Sequence, residues 1–288
     1  MKVRSIGVNP VDWKMREGGP LGTAQRVLGP SGPLVIGIDF AGDIIETTDA
    51  VQDLKIGDRV VGGTDFSRKQ FGSYADEVVV RPDQCAKLPD VVSYDQAACL
   101  PVAGVTAFRW LLLAGIDKKP EAKVLVLGAS GGVGLFAVQI ARSMGASVVG
   151  VCSARNAALV EGLGARVLDY SAGDPLEAAA QHGPYDLVLN AVGSEVYASS
   201  RCRALLAPKG VLGLVVVRGA DYGALVFSSR TKTLLGKPTR ETLEPLVALL
   251  ESGKIRGIIE AKLPLSEAEE AHVRSRKGKV VGKLLLEP

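Results

Sequence analysis

Histidine is scarce in this chain. Its 288 residues include two, His182 and His272, and neither has metal-ligating partners at ligand-like spacing. The four cysteines, Cys85, Cys99, Cys152 and Cys202, show no paired spacing either. Reduced thiols in a cytoplasmic or organelle-stroma-like compartment are therefore expected, rather than a disulfide frame, and no metal is expected. No apolar run approaches the roughly 18 residues that a membrane span needs. Lys2 and Arg4 precede no long apolar stretch, so no secretory signal is visible and secretion is not expected. Association with a membrane surface stays open. Charge of one sign is also lacking: the net value is +3, with Lys and Arg scattered rather than blocked, which argues against a nucleic-acid groove.

What is present is apolar and glycine-rich. At 47% hydrophobic residues the chain can bury one large core or two modest ones, and two domains fit its length better. The stretch VLVLGASGGVG over 124–134 spells a buried strand and a glycine turn, and a helix follows. A dinucleotide's pyrophosphate requires that order. Small residues let the backbone approach the phosphates, and the helix N-terminus offers free N–H groups. The fingerprint G-x-G-x-x-G is met as Ala129-x-Gly131-x-x-Gly134, so Ala129, Ser130, Gly131, Gly132, Val133 and Gly134 are the candidate phosphate binders. Val133, Phe136, Ala137, Ile140, Ala141 and Met144 form one helical stripe, and 146–151 supplies a second strand.

Residues 1–100 are β-rich and broken by turns. Strands are predicted over 34–38, 42–46, 59–61 and 74–80, and a helix over 94–115. Residues 2–7 read as the end of a strand with no turn or partner strand before it. From 122 to about 236 strands (148–151, 167–168, 187–190, 211–217) alternate with helices (154–163, 176–181, 196–206), which argues for a doubly wound parallel sheet. A helix over 240–251, a stretch 255–263, a short helix 266–274 and a last strand 280–286 return to β character. The expected division is 1–101 with 254–288 as a β domain, and 102–253 as a nucleotide domain.

An NAD site places an acidic residue at the end of the second strand. Here that strand ends in Cys152, Ser153, Ala154, Arg155 and Asn156, without a carboxylate. A ribose 2′-phosphate wants hydroxyls and cations, and Ser153 and Arg155 supply both, so NADPH is the expected cofactor. Both could equally serve as an N-cap and a solvated cation. Tyr170, at the next strand end, could close over the same phosphate or simply pack there.

The stretches VNPVDWK (8–14), GIDFAG (37–42), GDRV (57–60), LPVAGVTA (100–107) and GASGGVG (128–134) stand in an order and spacing that resemble the medium-chain dehydrogenase/reductase superfamily, in its zinc-free quinone oxidoreductase branch. The endings LPLSEAEEA (263–271) and GKLLLEP (282–288) look most like the chloroplast-envelope quinone oxidoreductase homologues. The resemblance implies a GroES-like β-barrel domain, a Rossmann domain, and a cleft where NADPH meets an electron-poor alkene or quinone. It also implies that the β domain is N-terminally truncated by a hairpin and a strand, with unpaired edges. The segment 218–235 looks shorter than in relatives, where it carries a helix and a dimer-forming edge strand, so a monomer or a homodimer is expected.

The zinc enzymes of that superfamily use Cys, His and a carboxylate or second Cys. Here Ile38 stands at the ligand histidine's position, and 9–12 contain no cysteine. Without a Lewis acid an isolated ketone is hard to reduce, whereas an enone or quinone spreads the developing charge onto a distant oxygen. The resemblance assigns Asn9 to the nicotinamide or substrate, Thr106 to the carboxamide, and Lys14 to the substrate carbonyl, with Val192 also on the cofactor. Asn9 before Pro10 and Asp12 after it also read as ordinary turn and cap chemistry, and Thr106 as a backbone-bonded helix residue. Asp39 and the pair Asp58 and Arg59 read as turn residues and a local ion pair. The competing expectations are a catalytically weak or inactive NADPH-binding protein with a structural or regulatory role, and an NAD-linked alcohol dehydrogenase.

Overall fold

The computed structural model describes residues 1–217 and 219–288. The chain divides into two compact units: Met1–Val105 with Lys237–Pro288, and Thr106–Gly236. In chain order the first unit holds β1 (Lys2–Val8), α1 (Pro10–Glu17), α2 (Gly19–Leu28), β2 (Asp39–Asp43), β3 (Arg59–Gly63), β4 (Cys85–Lys87) and α3 (Tyr94–Ala98). The second holds α4 (Val105–Leu113, its first residue across the boundary), β5 (Lys123–Leu127), α5 (Gly132–Ser143), β6 (Ser147–Cys152), α6 (Ala157–Gly162) and β7 (Arg166–Asp169). It continues through α7 (Pro175–Ala180), β8 (Tyr185–Asn190), α8 (Ser199–Ala204), β9 (Leu206–Leu214), α9 (Gly219–Phe227) and β10 (Thr231–Thr233). The first unit resumes with α10 (Arg240–Glu251), β11 (Ile259–Pro264), α11 (Ala268–Arg276) and β12 (Lys283–Glu287).

Among the described residues the second unit forms a six-stranded parallel sheet in the order β10-β9-β8-β5-β6-β7. Strands covered on both faces read as continuous apolar runs, which is why VLVL and LVL mark β5 and β8. Leu125, Leu127, Val188 and Leu212 are fully buried in the core. Each such side chain is worth roughly 1.5–3 kcal/mol of burial. The chain runs outward from β5 to β6 and β7, then returns to β8 on the other side of β5. The strand order therefore reverses between β5 and β8, and ligands of such sheets bind at that point, beyond the carboxyl ends of the strands.

The first unit is a mixed sheet in the order β11-β12-β1-β2-β3-β4. Residues 2–7, read as a strand with no partner strand before it, form β1 and find both partners later in the chain. β1 lies inside the sheet, antiparallel to β2 on one side and to β12 on the other. Its partners come from downstream, one of them from the far end of the chain, where local sequence reading does not look. Ile6, Phe40, Val60 and Leu286 are fully buried in this unit's core.

Four further expectations shift. The segments predicted as strands over 34–38 and 74–80 are extended but irregular. Their backbones pair through Gly72 N–H to Val35 O, Ser73 N–H to Gly37 O and Tyr74 N–H to Ile36 O, each 3.0 Å. Gly37 has φ +99°, outside any strand geometry, so no regular ladder forms. The helix over 94–115 is broken into α3, a π turn (Leu100–Gly104) and α4. Pro101 lacks an N–H, and the Val102 N–H leaves the helix ladder to donate to Asp39 Oδ1 at 3.0 Å. The second domain boundary lies at 236 rather than 253. The reason is α10, which packs on β4 through Arg240, a donor to the Cys85 and Pro82 carbonyls. The segment 218–235 starts at Arg218, which lies outside the described residues; from 219 onward it carries a helix, α9, and an edge strand, β10.

No helix among the described residues is long and apolar enough to cross a membrane.

Candidate functional site

The second unit's polar edge is made of backbone. After β5 the chain turns at Gly128 (φ +85°), and the N–H groups of Gly128 and Ala129 donate to Val151 O, fixing the turn to β6. The N-cap of α5 is Gly131, which has no side chain to accept a hydrogen bond. The first N–H groups of α5 therefore face outward with their dipole unanswered by any cap. A Cβ on Gly134 would lie inside contact distance of Gly128 O and 2.8 Å from Ala129 Cα, so only glycine lets α5 seat against the turn. Ala129 is fully buried, and Ser130 accepts a hydrogen bond from Asn156 Nδ2 at 3.0 Å.

Ser153 and Arg155 follow β6, Tyr170 follows β7 and Val192 follows β8. With the 129–134 turn after β5, these sequence-predicted residues occupy the carboxyl edge of four neighbouring strands, β8-β5-β6-β7. Tyr170 is 54% exposed and Val192 40% exposed, so both present surface at that edge. Two residues the sequence reading passed over shape it. Asn190, fully buried at the end of β8, accepts from the N–H groups of Val192 and Gly193 at 3.0 and 2.9 Å and donates to Tyr197 O. Asp169, at the end of β7, accepts from the Ala154 N–H at 3.1 Å. A polar residue directly after the apolar run of its strand, LVL before Asn190 and VL before Asp169, was the available signal for both. Thr106 lies on α4, buried, with its hydroxyl against Gly236.

The first unit's polar centre is made of side chains. Lys283, 4% exposed at the start of β12, donates from Nζ to Asp39 Oδ2 (3.0 Å), Asn9 Oδ1 (2.6 Å) and Val8 O (3.0 Å). Asp39 is fully buried; burial raises its pKa, and Lys283 pulls in the opposite direction. Asn9, expected at the nicotinamide or substrate, is 2% exposed, and its amide is held between Lys283 and the Gly7 carbonyl. It is also the N-cap residue of α1: its backbone N–H donates to Asp12 Oδ2 at 2.7 Å and its carbonyl accepts from the Asp12 N–H at 3.0 Å.

Asp12 Oδ2 accepts from the Asn9 N–H (2.7 Å) and the Tyr74 hydroxyl (3.2 Å), while its Oδ1 has no partner. Burial, aided by the charge of Asp39, pushes the Asp12 carboxyl up to about 7. The Tyr74 hydroxyl also meets His272 Nε2 at 3.1 Å. Burial, and then Arg16, pushes that imidazole down to about 4.

Lys14 is half-buried on α1, its Nζ 5.4 Å from the Trp13 ring, which Arg276 also approaches at 5.4 Å. Asp58 and Arg59 do not pair with each other as expected. Asp58 binds Lys87 at 2.8 Å, while Arg59 donates to Pro89 O and Val92 O and stacks on Tyr94. All four cysteines are free and buried, and burial raises their thiols to between about 11 and about 12, which leaves them neutral packing groups.

Comparison with known proteins joins these two units to one lineage. Residues 1–90 match the family model described as an alcohol dehydrogenase GroES-like domain, and 163–286 match the model described as a zinc-binding dehydrogenase. The chain is 33% identical over 303 residues to a chloroplast envelope quinone oxidoreductase homolog of Arabidopsis thaliana, covering 100% of this chain and 89% of that protein. It is 30% identical to a trans-enoyl reductase, pgmF, of Aspergillus terreus, with 99% and 85% covered. The solved structure of a quinone oxidoreductase from Coxiella burnetii superposes with TM-score 0.89 at 32% identity, covering 100% of this chain and 89% of that one.

Proposed function

Because the chain belongs to the medium-chain dehydrogenase/reductase superfamily, in its quinone oxidoreductase branch, we propose that it is an NADPH-dependent reductase of α,β-unsaturated carbonyls or quinones that works without a metal. The observation that carries this reading is the carboxyl edge of the parallel sheet. A helix N-terminus without a side-chain cap sits over a glycine turn there, and β6 is followed by a hydroxyl and a guanidinium instead of a carboxylate.

In this reading the turn 129–134 cradles the pyrophosphate. The N–H groups of Gly132, Val133 and Gly134 at the start of α5 donate to it, since the Ala129 and Gly131 N–H groups already bond Val151 O and Gly128 O. Ser153, Arg155 and Tyr170 hold the 2′-phosphate end. Val192 packs at the reversal of strand order, beside Gly128. A nicotinamide held there would supply a hydride for the carbon β to the acceptor's carbonyl. Thr106, in the nucleotide unit, is assigned to the carboxamide. Lys14, in the β unit, is assigned to the developing oxyanion, which an ammonium stabilises. Asn9 acts from inside as a positioning residue, since it caps α1 and so fixes the helix that carries Lys14.

Metal independence is supported by the donor set of the β unit. Zinc needs three converging protein ligands. Asp39 and Asn9 already bind the Lys283 ammonium, and a second cation beside it would meet like charge. Among the described residues no three or more His, Cys, Asp or Glu gather as a ligand group. These residues do not fit a zinc ion.

The test is NADPH consumption by the purified protein with a panel of enones and quinones. Turnover of an electron-poor alkene or quinone is expected. Complete inactivity of intact, NADPH-loaded protein would contradict it and favour a binding protein without turnover.

A further inference from the structure

The two residues assigned to the 2′-phosphate sit on a very short piece of chain. It leaves β6 after Cys152, turns at Ser153 and makes a single 3-10 turn over Ala154–Asn156 before α6 begins. Surface turns of this kind are ordinarily mobile, and ordering one on binding costs affinity. This one is tied at both ends. At its far end Asn156 Nδ2 donates to Ser130 Oγ in the pyrophosphate turn at 3.0 Å, and the Asn156 N–H closes the turn on Ser153 O at 2.9 Å. At its near end the Ala154 N–H donates to Asp169 Oδ1 at 3.1 Å.

Asp169 is well placed for this task. It stands directly beside Cys152 in the parallel ladder of β6 and β7, so its side chain leaves the sheet level with the start of the turn. Its carboxylate does not swing freely. Oδ1 also accepts from Ser171 N–H (2.9 Å) and Ser171 Oγ (2.7 Å), and Oδ2 lies 2.7 Å from the same hydroxyl. Ser171 thus fixes the carboxylate, the carboxylate fixes the Ala154 amide, and that amide fixes the residues on either side of it, Ser153 and Arg155.

The geometry points to Asp169 as the positioning residue for coenzyme selectivity: it pre-sets the 153–156 turn for a ribose 2′-phosphate while making no contact with the phosphate itself. This rests on the reading of the second unit as an NADPH site. The carboxylate is an anion near a phosphate, so its charge works against what its geometry supports. Salt and solvent screen that charge at a part-exposed position, and three hydrogen bonds already delocalise it. The pin is the larger effect. A contact to the ribose common to both coenzymes would not separate them, whereas a pinned turn acts on the phosphorylated one alone.

Equilibrium titration of wild type, Asp169→Ala and Asp169→Asn with NADPH and with NADH tests it. Asp169→Ala removes the acceptor and is expected to weaken NADPH about tenfold while leaving NADH within about threefold. Asp169→Asn keeps a carbonyl oxygen for the Ala154 amide without the charge, so both coenzymes should stay within about threefold of wild type. Ser171→Ala, which only loosens the carboxylate, should move NADPH in the same direction by a smaller factor and serves if Asp169→Ala does not fold. NADPH binding that tightens equally in Asp169→Ala and Asp169→Asn would overturn the inference, because charge would then outweigh the pin. So would a loss shared equally by both coenzymes, which marks a merely structural role. A wild type that prefers NADPH, with variants of unchanged preference, overturns the inference alone. A wild type that takes neither coenzyme overturns the site reading and the inference with it.

Discussion

The two units solve the problem of a polar interior in opposite ways. The nucleotide unit builds its polar edge from main-chain N–H groups, small residues and short hydrogen bonds between neighbouring strand ends. The β unit builds its polar centre from polar and ionisable side chains: Asn9, Asp12, Asp39, His272 and Lys283, all buried, with the part-buried Tyr74 joining them. Backbone donors cost little to aim, because the strand and helix that carry them are fixed by apolar packing. Buried side-chain charges must be paired with each other, and removing one strands the rest. The first arrangement is open to a ligand; the second is closed and holds the sheet together.

That contrast can be broken most decisively at Lys283. Lys283→Met leaves the fully buried Asp39 without its cation, and a loss of about 3–5 kcal/mol in unfolding free energy is expected by urea denaturation. Adding Asp39→Asn should recover part of that loss, because the stranded charge is then gone. A loss no larger than that of a surface substitution would show that the cluster is not the keystone of the β unit.

Asp12 sharpens the same point through pH. Its folded-state pKa of about 7 stands above the ordinary value of 3.8, so the fold favours the neutral carboxyl. That stabilisation is complete below about pH 4 and is lost as pH rises through 7. Asp12→Asn is neutral throughout and should gain on wild type by a few kcal/mol between about pH 4 and about pH 8. His272 works in the other sense. Its value is depressed from 6.5 to about 4, so its contribution is present above 6.5 and is lost as pH falls through 4. The Asp12→Asn comparison cancels His272, since both proteins carry it. A stability difference flat across that pH range would contradict the burial of Asp12 as an acid.

In the nucleotide unit the expected effects fall on binding rather than on folding. Gly134→Ala places a Cβ against the Gly128 carbonyl and forces the turn to shift. NADPH affinity should drop about tenfold or more with a smaller loss of stability, as read by titration and thermal melting. The smallest effect belongs to Asp174, which caps α7 through the N–H groups of Leu176 and Glu177. Asp174→Ala should lower the melting temperature slightly, through the lost cap, and leave NADPH affinity unchanged.

The same contrast explains what could be read in the chain. The candidate nucleotide site is largely contiguous: 124–134 carries strand, turn and helix start together, and the neighbouring strand ends lie at the spacing that alternation dictates. The doubly wound sheet and the edge that gathers Ser153, Arg155, Tyr170 and Val192 were therefore legible. The β unit's cluster was not, because Lys283 meets Asp39 across 244 residues and Asn9 across 274, and Tyr74 meets His272 across 198. No local period encodes such pairs. Asp39 read as a turn residue, and Asn9 as a ligand contact or a turn opener, because Lys283, which binds both, lies at the other end of the chain. Pro101 and Gly37 show the reverse error, where local propensity promised a continuous helix and a regular strand. The Val102 amide went to a carboxylate instead, and Gly37 took a left-handed conformation.

Deuterium transfer separates a metal-free conjugate reduction from a zinc-dependent carbonyl reduction. Chelator-treated protein is given NADPH deuterated at its transferable position, together with an α,β-unsaturated ketone, and the product is read by NMR. Deuterium on the β-carbon of a saturated ketone, at a rate unchanged by chelation, is expected. An allylic alcohol carrying deuterium on the carbonyl carbon, formed only after zinc is restored, would contradict it.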